Sequence, residues 1–196
     1  MDVTKLSKNQ KYELEKYLTT YSKGTTSTPG VYGHNNWGEG LYVHIEKIKP
    51  NSILDVGCGQ GKFVNDMVNK FNIPLVYGAD IASVATGKYI DNSKVNWLDC
   101  MAHSIPVNDN EVEYVVSFDC LEHCLEEDID TIVNEFYRIS TKGLMLNISY
   151  RQASERSLNG EMLHMTVKPE KWWIDKFSEK FNFDGKFKNY LLFSNE

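Results

Sequence analysis

The chain has 196 residues, a formal net charge of −6, 41% hydrophobic and 24% charged residues. That length suggests one domain with a complete core. The acidic balance, with no long Lys/Arg cluster, argues against electrostatic binding of long nucleic acids, and no apolar run approaches the roughly 20 residues of a membrane span.

The N-terminus is polar and lacks the apolar core of a signal peptide. Leu6, Tyr12, Leu14, Tyr17, Leu18 and Tyr21 recur at helical spacing, which predicts one amphipathic helix near 8–22. Residues 24–40 are rich in Gly, Thr, Ser, Asn and Pro and read as a loop. Tyr32, His34, Asn35, Asn36 and Trp37 make it denser in polar and aromatic groups than an ordinary linker. Two readings stay open. The loop covers a ligand site with Trp37 at it, or it is a surface turn with one Trp in the core. Residues 1–40 are thus expected to cap a core of residues 41–196 within a single domain.

Leu41, Ile45 and Ile48 predict a short helix that Pro50 ends. Ile53 to Val56 reads as an apolar strand that turns through Gly57, Gly59 and Gly61 into a helix over Lys62–Lys70. Glycines at alternate positions let the backbone approach a ligand closely, and the helix N-terminus points free N–H groups into the turn. A phosphate loop is excluded, because Val56 and Phe63 stand where its Gly and Ser/Thr belong. The dinucleotide fingerprint also fails, because its third glycine arrives one residue early, at Gly61. A second strand, Leu75 to Ala79, ends in Asp80, where this kind of sheet places the acid that holds ribose hydroxyls. A carboxylate accepts two hydrogen bonds at once, which suits a diol.

Residues 82–90 are weakly helical, and Val95 to Leu98 reads as a third strand ending at Asp99. Val112–Phe118 is an apolar run of buried-strand type. It is followed by Asp119-Cys120-Leu121-Glu122-His123 and a helix near 127–140 with Ile129, Ile132, Val133, Phe136 and Ile139 on one face. Gly143 precedes a fifth strand over Leu144–Ser149. The polar stretch 150–163, with Arg151 and Arg156, is a candidate substrate loop. Pro169 opens a helix with Trp172, Trp173, Phe177 and Phe181 inward, and Asp184-Gly185 predicts the turn of a terminal hairpin. The four cysteines Cys58, Cys100, Cys120 and Cys124 fall in or beside these elements, as reduced thiols of a cytoplasmic protein would.

The Asp55-x-Gly57-x-Gly59-x-Gly61 loop and the Asp119 to His123 segment together resemble motifs of the class I S-adenosylmethionine-dependent methyltransferases. The likeness spans roughly residues 40–195 and keeps the motif order. It implies a Rossmann-like α/β fold, a doubly wound sheet of about seven strands, mostly parallel with an antiparallel C-terminal hairpin strand. It implies S-adenosyl-L-methionine as cofactor and S-adenosyl-L-homocysteine as product. In that family the glycine loop backs the methionine part, here Asp55, Gly57, Cys58, Gly59 and Gly61. Asp80 and Ile81 would hold the ribose, and Asp99, Cys100 and Met101 the adenine. Asp119 would lie beside the transferred methyl.

The resemblance implies methyl transfer to a small or polar acceptor, a small molecule, sugar or protein group, with nucleic acid unlikely. A general base is sought first at His123, then His164, then His34, because an unperturbed imidazole titrates near working pH. No histidine pair has zinc spacing, and no metal is expected. An inactive cofactor-binding scaffold is the second reading. A short dehydrogenase is disfavoured because the Tyr-x-x-x-Lys pair it would want after the fourth or fifth strand is missing.

Overall fold

A computed structural model describes residues 1–195, so the last residue of the expected domain lies outside the described residues. Seven strands form one sheet in the order β3-β2-β1-β4-β5-β7-β6. They are β1 (Ser52–Val56), β2 (Leu75–Asp80), β3 (Asn96–Asp99), β4 (Val112–Phe118), β5 (Ser140–Asn147), β6 (Asn182–Phe187) and β7 (Tyr190–Ser194). The first five pair in parallel, while β7 runs antiparallel to β5 and β6. The sheet is the expected doubly wound one, with its reversed strand inserted beside β5.

Helices cover both faces, which is why the central strands are apolar on both sides. Successive residues of a strand point to opposite faces. Leu54, Val56, Val115, Leu144 and Leu146 therefore pack with α4 (Ile129–Ile139) and α5 (Glu170–Phe177). Ile53, Val116 and Met145 pack with α2 (Tyr42–Ile48) and α3 (Lys62–Asn69) on the other side. Phe136 of α4 is fully buried, and its loss to alanine costs about 3–5 kcal/mol in such a site.

The N-terminal helix α1 (Lys8–Lys23) begins in a capping box formed by Ser7 and Gln10. It buries Leu14, Tyr17 and Tyr21 toward the carboxyl ends of the strands. Thr26 N–H donates to the Arg156 carbonyl at 3.2 Å, and the Thr25 hydroxyl to Glu155 at 2.8 Å. The cap is therefore laced to the loop between β5 and α5.

Several local expectations are corrected. Residues 82–90 form turns, with no helix. Strand β5 starts at Ser140 and runs through Gly143, where a Cβ would lie 2.0 Å from the Phe193 carbonyl oxygen. Asp184-Gly185 is a bulge inside β6, where the pairing with β7 shifts register. The hairpin turn falls instead at Lys188 and Asn189, with Lys188 at φ 56°. Trp172 is only half-buried, its ring lying under Lys168 and Lys176 at 5.4 and 6.0 Å. Phe181 is buried but lies past the end of α5.

Candidate active site

A cavity of about 670 Å³ opens at the carboxyl ends of β1, β2 and β4, beneath α1 and the 31–37 loop. Ligand pockets of this size hold molecules of nucleoside scale. Its floor is the glycine turn after β1. Gly57 and Cys58 N–H both donate to the Ala79 carbonyl, at 2.8 and 3.0 Å, so the turn is fixed to the end of β2. Gly57 sits at φ 79°, and a Cβ there would lie 2.3 Å from Cys120 Sγ. Gly59 sits at φ 58°, and a Cβ there would lie 2.5 Å from the Gly33 carbonyl oxygen. Only glycine meets both conditions without strain.

The cap closes directly on that turn. Gln60 N–H donates to the Gly33 carbonyl at 2.7 Å, and the Gln60 side chain donates to the Tyr32 carbonyl at 2.8 Å. Tyr21 donates to Asp80 Oδ2 at 2.9 Å, as does Gly59 N–H at 3.1 Å. Asp80 Oδ1 accepts from Ala82 and Ser83 N–H, both at 2.9 Å. Asp80 thus serves as a local turn cap while it faces the cavity, and the two roles coexist. Burial raises its carboxyl pKa, against the lowering effect of these donors.

Asp55 is buried at the back of the cavity, with its Oδ1 unpartnered. Burial, then the Asp80 charge, push its carboxyl well above the usual range. Cys58, Ile81, Cys100 and Met101 line the wall as expected. Gly61 does not. A Cβ there would lie 2.1 Å from the Trp97 ring, so the glycine serves packing against β3. Asp99 also lies off the cavity wall, behind Cys100 and Met101, with a buried unpartnered Oδ1. Trp37 lines the mouth and is half exposed, and its carbonyl accepts from Tyr190 at 2.6 Å. The loop lines the cavity mouth, and the buried-Trp reading does not hold.

Asp119 follows β4 in the left-handed region, at φ 52°, an uncommon conformation for a side-chain-bearing residue. Its backbone N–H donates to the Asn147 carbonyl at 2.9 Å, which ties it to β5. Burial raises its pKa, and the neighbouring His164 imidazole acts in the opposite direction. His123 ends the short turn Leu121–His123, and its Nδ1 lies 2.7 Å from the Tyr17 hydroxyl. Burial, then His164, push its pKa down to about 3, so the ring is neutral at ordinary pH. His164 stands with its ring centroid 4.6 Å from that of His123. His34 lines the outer rim and is exposed.

Sequence reading missed the contribution of α1. Tyr17 and Tyr21 lie one helical turn apart, so both face the cavity. Their i,i+4 spacing was visible, but it reads equally well as a stripe that only packs.

The sheet order, the reversed strand and an acid-lined cavity over a glycine turn define a Rossmann-like methyltransferase fold. Residues 53–143 match the family model described as a methyltransferase domain. Among curated proteins, a 97-residue stretch is 28% identical to a probable mRNA-capping enzyme of Acanthamoeba polyphaga mimivirus. The match spans 48% of this chain and only 8% of that relative. Among solved structures, the PH0226 protein of Pyrococcus horikoshii OT3 aligns with TM-score 0.65 and 15% identity, over 81% of this chain and 89% of that one. A 1,6-didemethyltoxoflavin-N1-methyltransferase of Burkholderia thailandensis, solved with its substrate and S-adenosylhomocysteine, aligns with TM-score 0.61 and 10% identity, over 100% and 92%. Phosphoethanolamine N-methyltransferase 2 of Haemonchus contortus, solved with S-adenosyl-L-methionine, aligns with TM-score 0.58 and 16% identity, over 89% and 43%. At these identities the solved structures speak for the fold. The likeness to the class I S-adenosylmethionine-dependent methyltransferases thus rests on the methyltransferase-domain match over residues 53–143 and on the shared fold.

Proposed function

We propose that the chain is an S-adenosyl-L-methionine-dependent methyltransferase acting on a small, polar acceptor. The observation that carries this reading is the unpartnered, buried Asp55 oxygen at the back of the glycine-turn cavity. A buried carboxyl oxygen without a donor is costly. The α-amino group of a methionine moiety is a donor of the right kind. The carboxyl oxygens of Asp55, Asp80 and Asp119 line the cavity with acceptors suited to a sulfonium cation.

The bound cofactor supplies a methyl group already activated on a charged sulfur, and leaves as S-adenosyl-L-homocysteine. The chain's own residues bind and orient. Asp55, Gly57, Cys58 and Gly59 hold the amino-acid end. Asp80 and Ile81 hold the ribose once the Tyr21 hydroxyl gives way, and Cys100 and Met101 flank the base, with Asp99 behind them. Asp119, His123 and His164 form the wall where an acceptor would meet the methyl. Alignment there accounts for most of the rate gain in such a reaction. His123, held neutral, is not a proton store at pH 7.

The cap, with Trp37 at its edge, sheds water from the site. The four free cysteines fit a reducing compartment such as the cytoplasm. Among the described residues, no helix is long and apolar enough to cross a membrane.

The test is release of S-adenosyl-L-homocysteine from S-adenosyl-L-methionine across a panel of small hydroxyl, amine and thiol acceptors. Acceptor-dependent release supports the reading. Tight cofactor binding with no release from any acceptor would favour the scaffold alternative.

A further inference from the structure

At the acceptor side of the cavity, Asp119, His123 and His164 bring one donor atom each to within 4.8 Å of one another. The convergence is built by the backbone. Met165 and Thr166 N–H both donate to the Glu122 carbonyl, at 2.8 and 2.9 Å, and the Thr166 hydroxyl donates to the Cys124 carbonyl at 2.8 Å. These bonds hold the 163–166 segment against the turn that carries His123.

Two imidazoles and a carboxylate are a donor set for a divalent metal ion. Three further observations point the same way. First, His164 Nδ1 lies 2.6 Å from the Arg151 carbonyl. A carbonyl only accepts, so Nδ1 carries the proton and Nε2 presents a lone pair. That arrangement is the usual outer support of a metal-bound histidine. Second, the Leu163 carbonyl accepts a hydrogen bond from the His123 ring, and an ion at Nδ1 would replace the Tyr17 hydroxyl that lies 2.7 Å from it in the cavity.

Third, Glu122 is fully buried beside Asp119. Its Oε1 accepts from Ser149 N–H at 2.6 Å, and its Oε2 has no partner. Among the described residues, no Lys or Arg pairs with either carboxylate. A fully buried acid beside a half-buried one, with no Lys or Arg between them, favours a shared proton or a bound ion.

We propose that Asp119, His123 and His164 bind a divalent ion of the Mn²⁺, Fe²⁺ or Zn²⁺ class, with Glu122 as the adjoining carboxylate. The imidazoles select this class over Mg²⁺ and Ca²⁺, which prefer oxygen alone. Ligation at about 2.0–2.2 Å draws the three side chains inward. The ion would present an oxygen of the acceptor to the cavity. The metal site itself is independent of the methyl-transfer reading, and only this use of it rests on that reading.

The test uses the full chain, stripped with a chelator and titrated calorimetrically with MnCl₂ and with ZnSO₄, without cofactor or acceptor. One ion per chain is expected. His164→Ala and Asp119→Asn should each weaken it by about tenfold or more, while His44→Ala, a histidine outside the cavity, binds as the parent does. Co²⁺ substitution of the parent chain gives a second readout that needs no variant: d–d absorption bands of a nitrogen-oxygen site. Absence of a bound ion in the parent, or equal binding by the His164→Ala and Asp119→Asn chains, overturns the proposal. S-adenosyl-L-methionine is titrated into the same samples. An ion bound with no cofactor affinity would sink the methyl-transfer reading and leave the metal site standing.

Discussion

Tyr21 of the N-terminal helix donates a 2.9 Å hydrogen bond to Asp80 at the end of the second strand, 59 residues away. With Gly59, Ala82 and Ser83 also donating, all four acceptor positions of the Asp80 carboxylate are occupied. In the proposed function a ribose hydroxyl that reaches Asp80 displaces one of these donors, and Tyr21 is the one side chain among them. On that reading Tyr21 and the cofactor would compete for one oxygen. Tyr21→Phe removes the competitor, and cofactor affinity should rise by about 3- to 10-fold, the worth of one such bond. Calorimetric titration reads it, and an unchanged or weaker affinity would contradict the competition.

Asp80→Ala removes the acceptor itself. Cofactor affinity should fall by about 1–3 kcal/mol, the value of one or two hydrogen bonds. Asp55→Ala should cost a similar amount if its free oxygen is the amino-group acceptor. Undiminished affinity in either variant takes that residue out of the site.

Gly59→Ala tests how the cap is held. The new Cβ falls 2.5 Å from the Gly33 carbonyl, in a backbone region that costs an L-residue about 1–2 kcal/mol. Gly33 must move, and its bond from Gln60 N–H lengthens or breaks. Amide exchange at Gln60 should accelerate several-fold while exchange in β4 and β5 is unchanged. Equal exchange at Gln60 would mean that the cap does not rest on the turn as described.

Glu122 gives stability a defined pH dependence. Burial, then the Asp119 charge, push its carboxyl up to about 8. An unfolded Glu titrates near 4.3. The folded chain thus holds a proton that the unfolded chain has released, and stability falls as pH rises from about 4.3 toward 8. His123 acts at lower pH. Its folded pKa of about 3 lies below the unfolded value of about 6.5, so it lowers stability only as pH falls below about 6.5. Between about 6.5 and 8 the two effects separate. Chemical denaturation of the metal-free chain should show stability falling across that window, and Glu122→Gln should flatten the slope by up to about 1.4 kcal/mol per pH unit. Parallel slopes for parent and variant would contradict a protonated Glu122.

The sheet was legible because its signals are local. Apolar runs of five to seven residues, the glycine turn and Asp80 fix β1, β2 and β4 where they were expected. The hairpin was misread because Asp-Gly marks both a tight turn and a bulge. Pairing along the whole of β7 decided for the bulge, with the Ser194 hydroxyl donating to Asp184 at 2.9 Å. Gly61 was assigned to the ligand by its place in a motif, yet the large Trp97 side chain claims its space. The meeting of His123 with His164 was not legible. It depends on backbone bonds from an irregular segment to the Glu122 carbonyl, which leave no periodic trace in sequence.

In the proposed function the cofactor sits between the glycine turn and the cap. Isothermal titration of the full chain with S-adenosyl-L-methionine, and in parallel with NADH, tests this directly. Saturable binding of S-adenosyl-L-methionine at one site per chain, weakened by Asp80→Ala and not matched by NADH, is the predicted result. No measurable binding of S-adenosyl-L-methionine, or preferential binding of NADH, would contradict it.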